Sequence, residues 1–164
     1  MAAIIRRFAS GLIVDPFSGR STIATLRNDL AHGGVDAREW LRSLVTAGVR
    51  ADCALLDPPY SPRQMSECYK SVGLKVGMKG TQNAVLYSDS KDLLTAILKP
   101  GGIAITCGWN SGGFGKNRGF ELLHVLLVAH GGAHNDTIVV VERKIRVTYA
   151  DGTVETIPQR LEER

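Results

Sequence analysis

Cys53-Ala54-Leu55-Leu56-Asp57-Pro58-Pro59-Tyr60 is an apolar run that ends in an acid, two prolines and an aromatic ring. A short apolar run bounded by a turn fits a strand buried on both faces of a parallel sheet. The Pro-Pro step removes two backbone donors and holds the chain extended, so the Asp57 carboxylate and the Pro58 carbonyl are expected to be presented as acceptors at the strand end. In an open α/β sheet, ligands bind at the carboxyl ends of the strands. Two fixed acceptors beside an aromatic ring can hold a planar amine; the plain alternative is a turn after a strand.

Working outward, Leu12-Ile13-Val14-Asp15 has the same form, and Gly102-Ile103-Ala104-Ile105-Thr106-Cys107 is a third run, entered through the Lys99-Pro100-Gly101-Gly102 turn. Between them the pattern predicts helices over Ala37 to Ala47, with Trp40, Leu41, Leu44 and Val45 on one stripe, Pro62 to Val72, and Asp89 to Leu98. Asp36 and Ser61 are placed to cap the first two, and Gly48 and Gly73 to end them. This alternation predicts an α/β fold with a mostly parallel sheet. Leu122 to Ala129 and Thr137 to Glu142, joined through His130 to Asn135, predict a C-terminal antiparallel hairpin. A second hairpin is expected from Ile145 to Tyr149 and Thr153 to Ile157. Residues 1–150 read as a single domain and 151–164 as an extension, frayed from Pro158 onward.

The chain of 164 residues, 44% hydrophobic and 22% charged, suits one soluble globular domain and excludes a disordered or collagen-like chain. No apolar run approaches the ~20 residues of a membrane span, and Met1 to Gly11 is too short for a secretory leader, so a cytoplasmic location is expected. Cys53, Cys68 and Cys107 are odd in number and lack C-x-x-C spacing, which argues against a disulfide framework. His130 and His134 bracket a glycine turn, but no cysteine or carboxylate pattern completes a metal site, so no metal is expected. The net charge is +4, and the surplus lies between Pro58 and Gly119, with eight basic and three acidic residues. That segment suits either phosphate contacts or a solvated surface.

Asp57-Pro58-Pro59-Tyr60 resembles the D-P-P-Y motif of S-adenosylmethionine-dependent amino methyltransferases, above all the adenine-N6 group, and its surroundings are similar to small methylase-like proteins of phages and mobile elements. The similarity runs from Val14 to Lys144 and includes Gly108-Trp109-Asn110-Ser111 and the stretch from Ala129 to Asp136. It implies a class I, Rossmann-like methyltransferase sheet with S-adenosylmethionine as cofactor. It also implies that Asp57 and the Pro58 carbonyl hold the target amine, with Pro59 keeping the chain extended and Tyr60 stacking on the base. An aspartate at position 57 favours an exocyclic amine of a purine.

Asp15-Pro16-Phe17-Ser18-Gly19 resembles the D-P-F-x-G start of the family's cofactor loop, lacking the second glycine and the long helix that usually follow. The next segment has two readings. In one, Ser21 caps a helix from Thr22 to His32, and Val35-Asp36 is the second strand. In the other, preferred because only one helix fits between Asp36 and Asp57, Ile23 to Leu26 is the second strand. Asp29 is then the ribose-binding acid and Asp36 the acid near the cofactor's adenine. Either way the cofactor half is cut down.

The function expected is methyl transfer to adenine N6 in DNA. The alternatives are a purine-amine methyltransferase of RNA, and a non-catalytic binding protein that has lost the cofactor. Arg63, Trp109, Asn110, Lys116 and Arg118 are the expected nucleic-acid contacts, the last two by charge alone in a flexible loop. No inserted target-recognition domain is visible, so target choice is expected to be weak, or assisted by a partner protein or a homodimer.

Overall fold

A computed structural model describes residues 2–59, 62–73, 83–132, 136–148 and 151–158. Its centre is a six-stranded sheet in the order β2-β1-β3-β4-β6-β5, formed by β1 (Ile13–Asp15), β2 (Leu26–Arg27), β3 (Ala51–Leu56), β4 (Leu98–Gly108), β5 (Phe120–Val128) and β6 (Thr137–Lys144). The first four are parallel, and β6 runs antiparallel between β4 and β5. The expected mostly parallel sheet with its C-terminal antiparallel hairpin is therefore the observed one. A separate ribbon, β7 (Arg146–Thr148) with β8 (Val154–Thr156), is the second hairpin.

Both faces of the central strands are covered, which explains why these strands read as unbroken apolar runs. On one face α2 (Ala37–Thr46) and α4 (Asn83–Ile97) pack Leu41, Leu94 and Ile97 against Val14, Ala54, Leu56 and Ala104. On the other, the short α1 (Ala2–Phe8) brings Ile4 and Phe8 onto Cys53, Leu55, Ile105 and Val141. The sequence reading did not anticipate α1. It placed the start of α4 at Asp89, six residues late, because Asp89 resembles a helix start; yet Leu86, before it, is buried and Tyr87 donates to the Cys107 carbonyl at 3.0 Å. The Lys99-to-Gly102 turn survives as a bulge inside β4, where the pairing jumps from Ala51↔Leu98 to Cys53↔Ile103.

The segment after β1 decides between the two readings of residues 21–36. The helix from Thr22 to His32 does not form. The chain instead runs extended, with Ile23 and Ala24 packed on the α1 face, before β2 pairs with β1. The preferred reading is the nearer one, although the strand is Leu26–Arg27 and not Ile23 to Leu26. A single 3-10 turn, Leu30–His32, follows β2, and α2 comes next without an intervening strand. Relative to the 3-2-1-4-5 order of doubly wound sheets, the strand beyond β2 and the crossover helix after β1 are both absent among the described residues.

Candidate active site

The strand order reverses direction between β1 and β3, and a crevice opens there outside the carboxyl ends of the strands. It is a cavity of about 780 Å³, lined on one side by Pro16, Phe17, Asp29, Leu30, Asp36 and Ala37 and on the other by Asp57, Pro58, Pro59, Leu86 and Trp109. Asp57 follows the last residue of β3 and is exposed, while Pro58 is buried behind it. Tyr60, and the Ser61 cap expected for α3 (Pro62–Ser71), lie outside the described residues.

Asp15 ends β1 beneath this cavity, only 5% exposed, with its Oδ1 accepting the Phe17 N–H at 3.0 Å. Burial pushes its carboxyl up to about 6, the Phe17 N–H works against that, and the charges of Asp57 and Asp29 add to the rise. Asp29 follows β2 by one residue. Its Oδ2 accepts the Gly19 N–H at 2.9 Å, and its Oδ1 accepts the Ala31 N–H at 3.0 Å and meets His32 Nδ1 at 2.9 Å. Asp36 caps α2 through the Arg38 N–H at 2.9 Å. Its carboxylate also receives Arg38 Nε at 3.2 Å, Arg38 Nη2 at 3.4 Å and the Tyr69 hydroxyl at 3.0 Å. Burial raises its pKa, but Arg38 and Tyr69 outweigh burial and hold the carboxyl below its ordinary value. A carboxylate offers about four acceptor positions. Asp29, with two N–H donors and the His32 ring nitrogen against it, keeps at least one to spare, whereas Asp36, with four donors, keeps none.

Of the residues expected to touch nucleic acid, Trp109 lines the cavity and is 46% exposed. Asn110 turns its Oδ1 to the Gly112 N–H at 2.9 Å, beside Trp109 and outside the lining. Arg63 precedes Gln64, a lining residue, and pairs with Glu67 at 2.8 Å in full exposure. Lys116 and Arg118 are not brought to the cavity. The loop after β4 carries the chain to the opposite end of the strands, where Phe120 pairs with Lys144 and Arg143 with Ile103, near the start of β4. There Arg118 binds Asp92 at 2.6 Å and Ser88 at 3.0 Å on α4, and the Lys116 carbonyl accepts from Arg146 at 3.0 Å. Nor is this loop the loose segment its glycines suggested. Phe114 is 1% exposed, and the carboxylate of Glu142 accepts the N–H groups of Phe114 and Gly115.

Sequence reasoning missed Tyr69, Cys68, His130 and Thr137, which also line the cavity. A signal existed for α3: Gln64 and Cys68 are four apart, so they share a helix face immediately after the proline pair. His130 lies in the Ala129-to-Asp136 stretch of the resemblance, but the sequence reading weighs it only for a metal; no signal points to Thr137, which it meets at 3.1 Å only because β5 and β6 pair. His124 sits beside Phe8, the rings tilted and their centroids 6.0 Å apart, and His134 lies outside the described residues. No helix among the described residues is long and apolar enough to cross a membrane.

No protein-family model and no curated protein matches the sequence. Among solved structures, TrmN from Thermus thermophilus is similar at a TM-score of 0.53 and 23% identity, over 87% of this chain and 47% of that one. The chain thus spans about half the length of that protein. The 1,6-didemethyltoxoflavin-N1-methyltransferase of Burkholderia thailandensis gives a TM-score of 0.48 and 15% identity, over 80% of this chain and 70% of that one. The TrmN likeness and the strand order establish the fold as that of the class I, Rossmann-like methyltransferases.

Proposed function

We propose that the chain binds S-adenosylmethionine and methylates an exocyclic purine amine in nucleic acid, with adenine N6 of DNA as the first substrate. The observation that carries this reading is that Asp57, Pro58 and Pro59 share one cavity with the loops that follow β1 and β2. The donor set suits the cofactor. Asp29, Asp36 and Asp57 line the cavity, Asp15 lies under it, and neither lysine nor arginine is among the described lining residues, so a ligand bearing a sulfonium and an ammonium is favoured electrostatically. Phe17, Leu30 and Ala37 supply apolar surface for an adenine ring. Asp29 has an acceptor position for a ribose hydroxyl, and Asp36 reaches the adenine amine once Tyr69 or Arg38 yields.

Bound S-adenosylmethionine supplies an electrophilic methyl carbon on a sulfonium leaving group. Asp57 and the Pro58 carbonyl accept the two N–H bonds of the target amine, which turns the nitrogen lone pair toward that carbon, and this positioning lowers the barrier. Asp57 then takes the proton that the methylated nitrogen loses. Tyr60 stacks on the base, which leaves the duplex or arrives unpaired. Arg63, Trp109 and Asn110 form the contact surface for the nucleic acid, and Lys116 and Arg118, at the opposite end of the strands, are left out of it. The amine-holding pair reads no sugar, so an RNA purine amine is the alternative acceptor, and a partner protein or second copy supplies target choice.

The four donors already on Asp36 favour one other reading, a binding protein with this fold that no longer holds the cofactor. Calorimetric titration separates the two: saturable binding of S-adenosylmethionine supports the enzyme, and no binding at millimolar cofactor overturns it.

A further inference from the structure

The cofactor side of the cavity is built from three pairs of residues on three separate segments, Pro16-Phe17, Asp29-Leu30 and Asp36-Ala37. Residues 16–25 form no helix that could brace the first segment. One residue connects all three: the Asn28 side chain bonds the first segment and the entry to the third, and its own peptide bond joins it to the second. Asn28 is 7% exposed; its N–H donates to the Asp15 carbonyl at 3.0 Å, and its carbonyl accepts the Ser18 N–H at 3.0 Å and the Ser18 hydroxyl at 3.3 Å. Its side-chain amide donates to the Val35 carbonyl at 2.9 Å and the Pro16 carbonyl at 3.4 Å, while Oδ1 accepts the Val35 N–H at 3.1 Å. Val35 N–H needs an acceptor and the two carbonyls need a donor, so the partners dictate how the amide is turned. The chain at residue 34 passes so close that a Cβ there would stand 2.5 Å from Asn28 Oδ1 and 2.7 Å from the Asp29 carbonyl, which only glycine avoids.

We infer that Asn28 is the positioning residue of the cofactor side, its buried amide tying the loop after β1 and the entry to α2 to the start of the 3-10 turn, which Asn28 itself leads into, in place of the missing crossover helix. Aspartate cannot donate to the two carbonyls, serine is too short to reach both Val35 groups, and glutamine is longer by one methylene in a buried site. The clamp sets the spacing between the loop expected to receive the methionine end and the acids expected to receive the adenosine, and so rests on the methyltransferase reading. Asn28 touches no reacting atom. Its loss acts on cofactor affinity and not on the transfer step.

The test compares Asn28→Ala with Leu94→Ala, a core truncation on α4 away from the site that lowers stability by cavity formation. Asn28→Ala should weaken S-adenosylmethionine binding by about tenfold to a hundredfold, with kcat at saturating cofactor and the acceptor KM within about threefold of wild type. Leu94→Ala should leave cofactor affinity near wild type. Hydrogen exchange gives a readout that needs no cofactor: the amides of Ser18, Gly19 and Val35 should exchange faster in Asn28→Ala, and those of Ala104 to Thr106 should not. Equal cofactor affinity in Asn28→Ala and Leu94→Ala, or unchanged exchange at Ser18, Gly19 and Val35, overturns the inference. If the wild-type chain binds no cofactor, the methyltransferase reading falls, and the exchange comparison still decides whether Asn28 clamps the three segments.

Discussion

Asp15 carries a cost in the free protein that a cationic ligand would relieve. Its folded pKa of about 6 exceeds the ordinary value of 3.8, so between those values the folded state binds more protons than the unfolded state. Stability therefore falls as pH rises from 4 to 6 and stays lower above that, by about 3 kcal/mol at most. Asp15→Asn keeps an acceptor for the Phe17 N–H without the charge. Urea unfolding should find this variant more stable than wild type at pH 8 and equal to it at pH 4, while titration finds its cofactor affinity lost. A variant no more stable at pH 8 would refute the buried-charge account. Asp57 behaves differently, being exposed, and its charge adds to the burden on Asp15. Asp57→Ala should change unfolding free energy by less than about 1 kcal/mol. These two acids were legible because each ends an apolar run, Asp57 in a complete four-residue motif and Asp15 in a shortened one; the place of Tyr69 and His130 was not, because tertiary packing alone brings them to the cavity.

At the scale of elements, strong periodicity or composition made β3, β4, α2 and the β5–β6 hairpin readable. The seven residues of α1 are too few to display a period, and Arg6 and Arg7 interrupt its apolar positions. The loop from Gly112 to Gly119 misled for a physical reason. Its glycines read as slack, but Gly113 lets the backbone pass against Glu142 with no room for a Cβ, and Phe114 packs on Phe120 with ring centroids 4.9 Å apart. Glu142 was readable only as a polar residue on a strand, and its function is to satisfy two loop N–H groups in the interior. Glu142→Ala strands both donors and should cost about 2 to 4 kcal/mol in denaturant unfolding. A cost under 1 kcal/mol would mean that the loop is held by Phe114 alone.

For the whole molecule, alternating strands and helices made the fold class visible, and the spacing between Asp15 and Asp36 made the contraction visible. How a cavity survives without a crossover helix or an outer strand was not visible, because it depends on one buried amide at position 28 and on Gly34 beside it. If the contracted half still closes on its ligand, S-adenosylhomocysteine at a hundred times its Kd should add about 2.7 kcal/mol of stability. For a chain of this size that corresponds to a Tm rise of roughly 5 to 10 °C. No rise at any concentration would separate the fold from the chemistry. The central claim concerns the amine held by Asp57 and Pro58. Its most direct test is nucleoside mass spectrometry after incubating the protein with methyl-labelled S-adenosylmethionine and adenine-containing DNA or RNA. Labelled N6-methyladenine nucleoside from DNA with the wild type, and none with folded Asp57→Ala, is the result predicted. No methylated nucleoside from either nucleic acid, or equal product from Asp57→Ala, would contradict it.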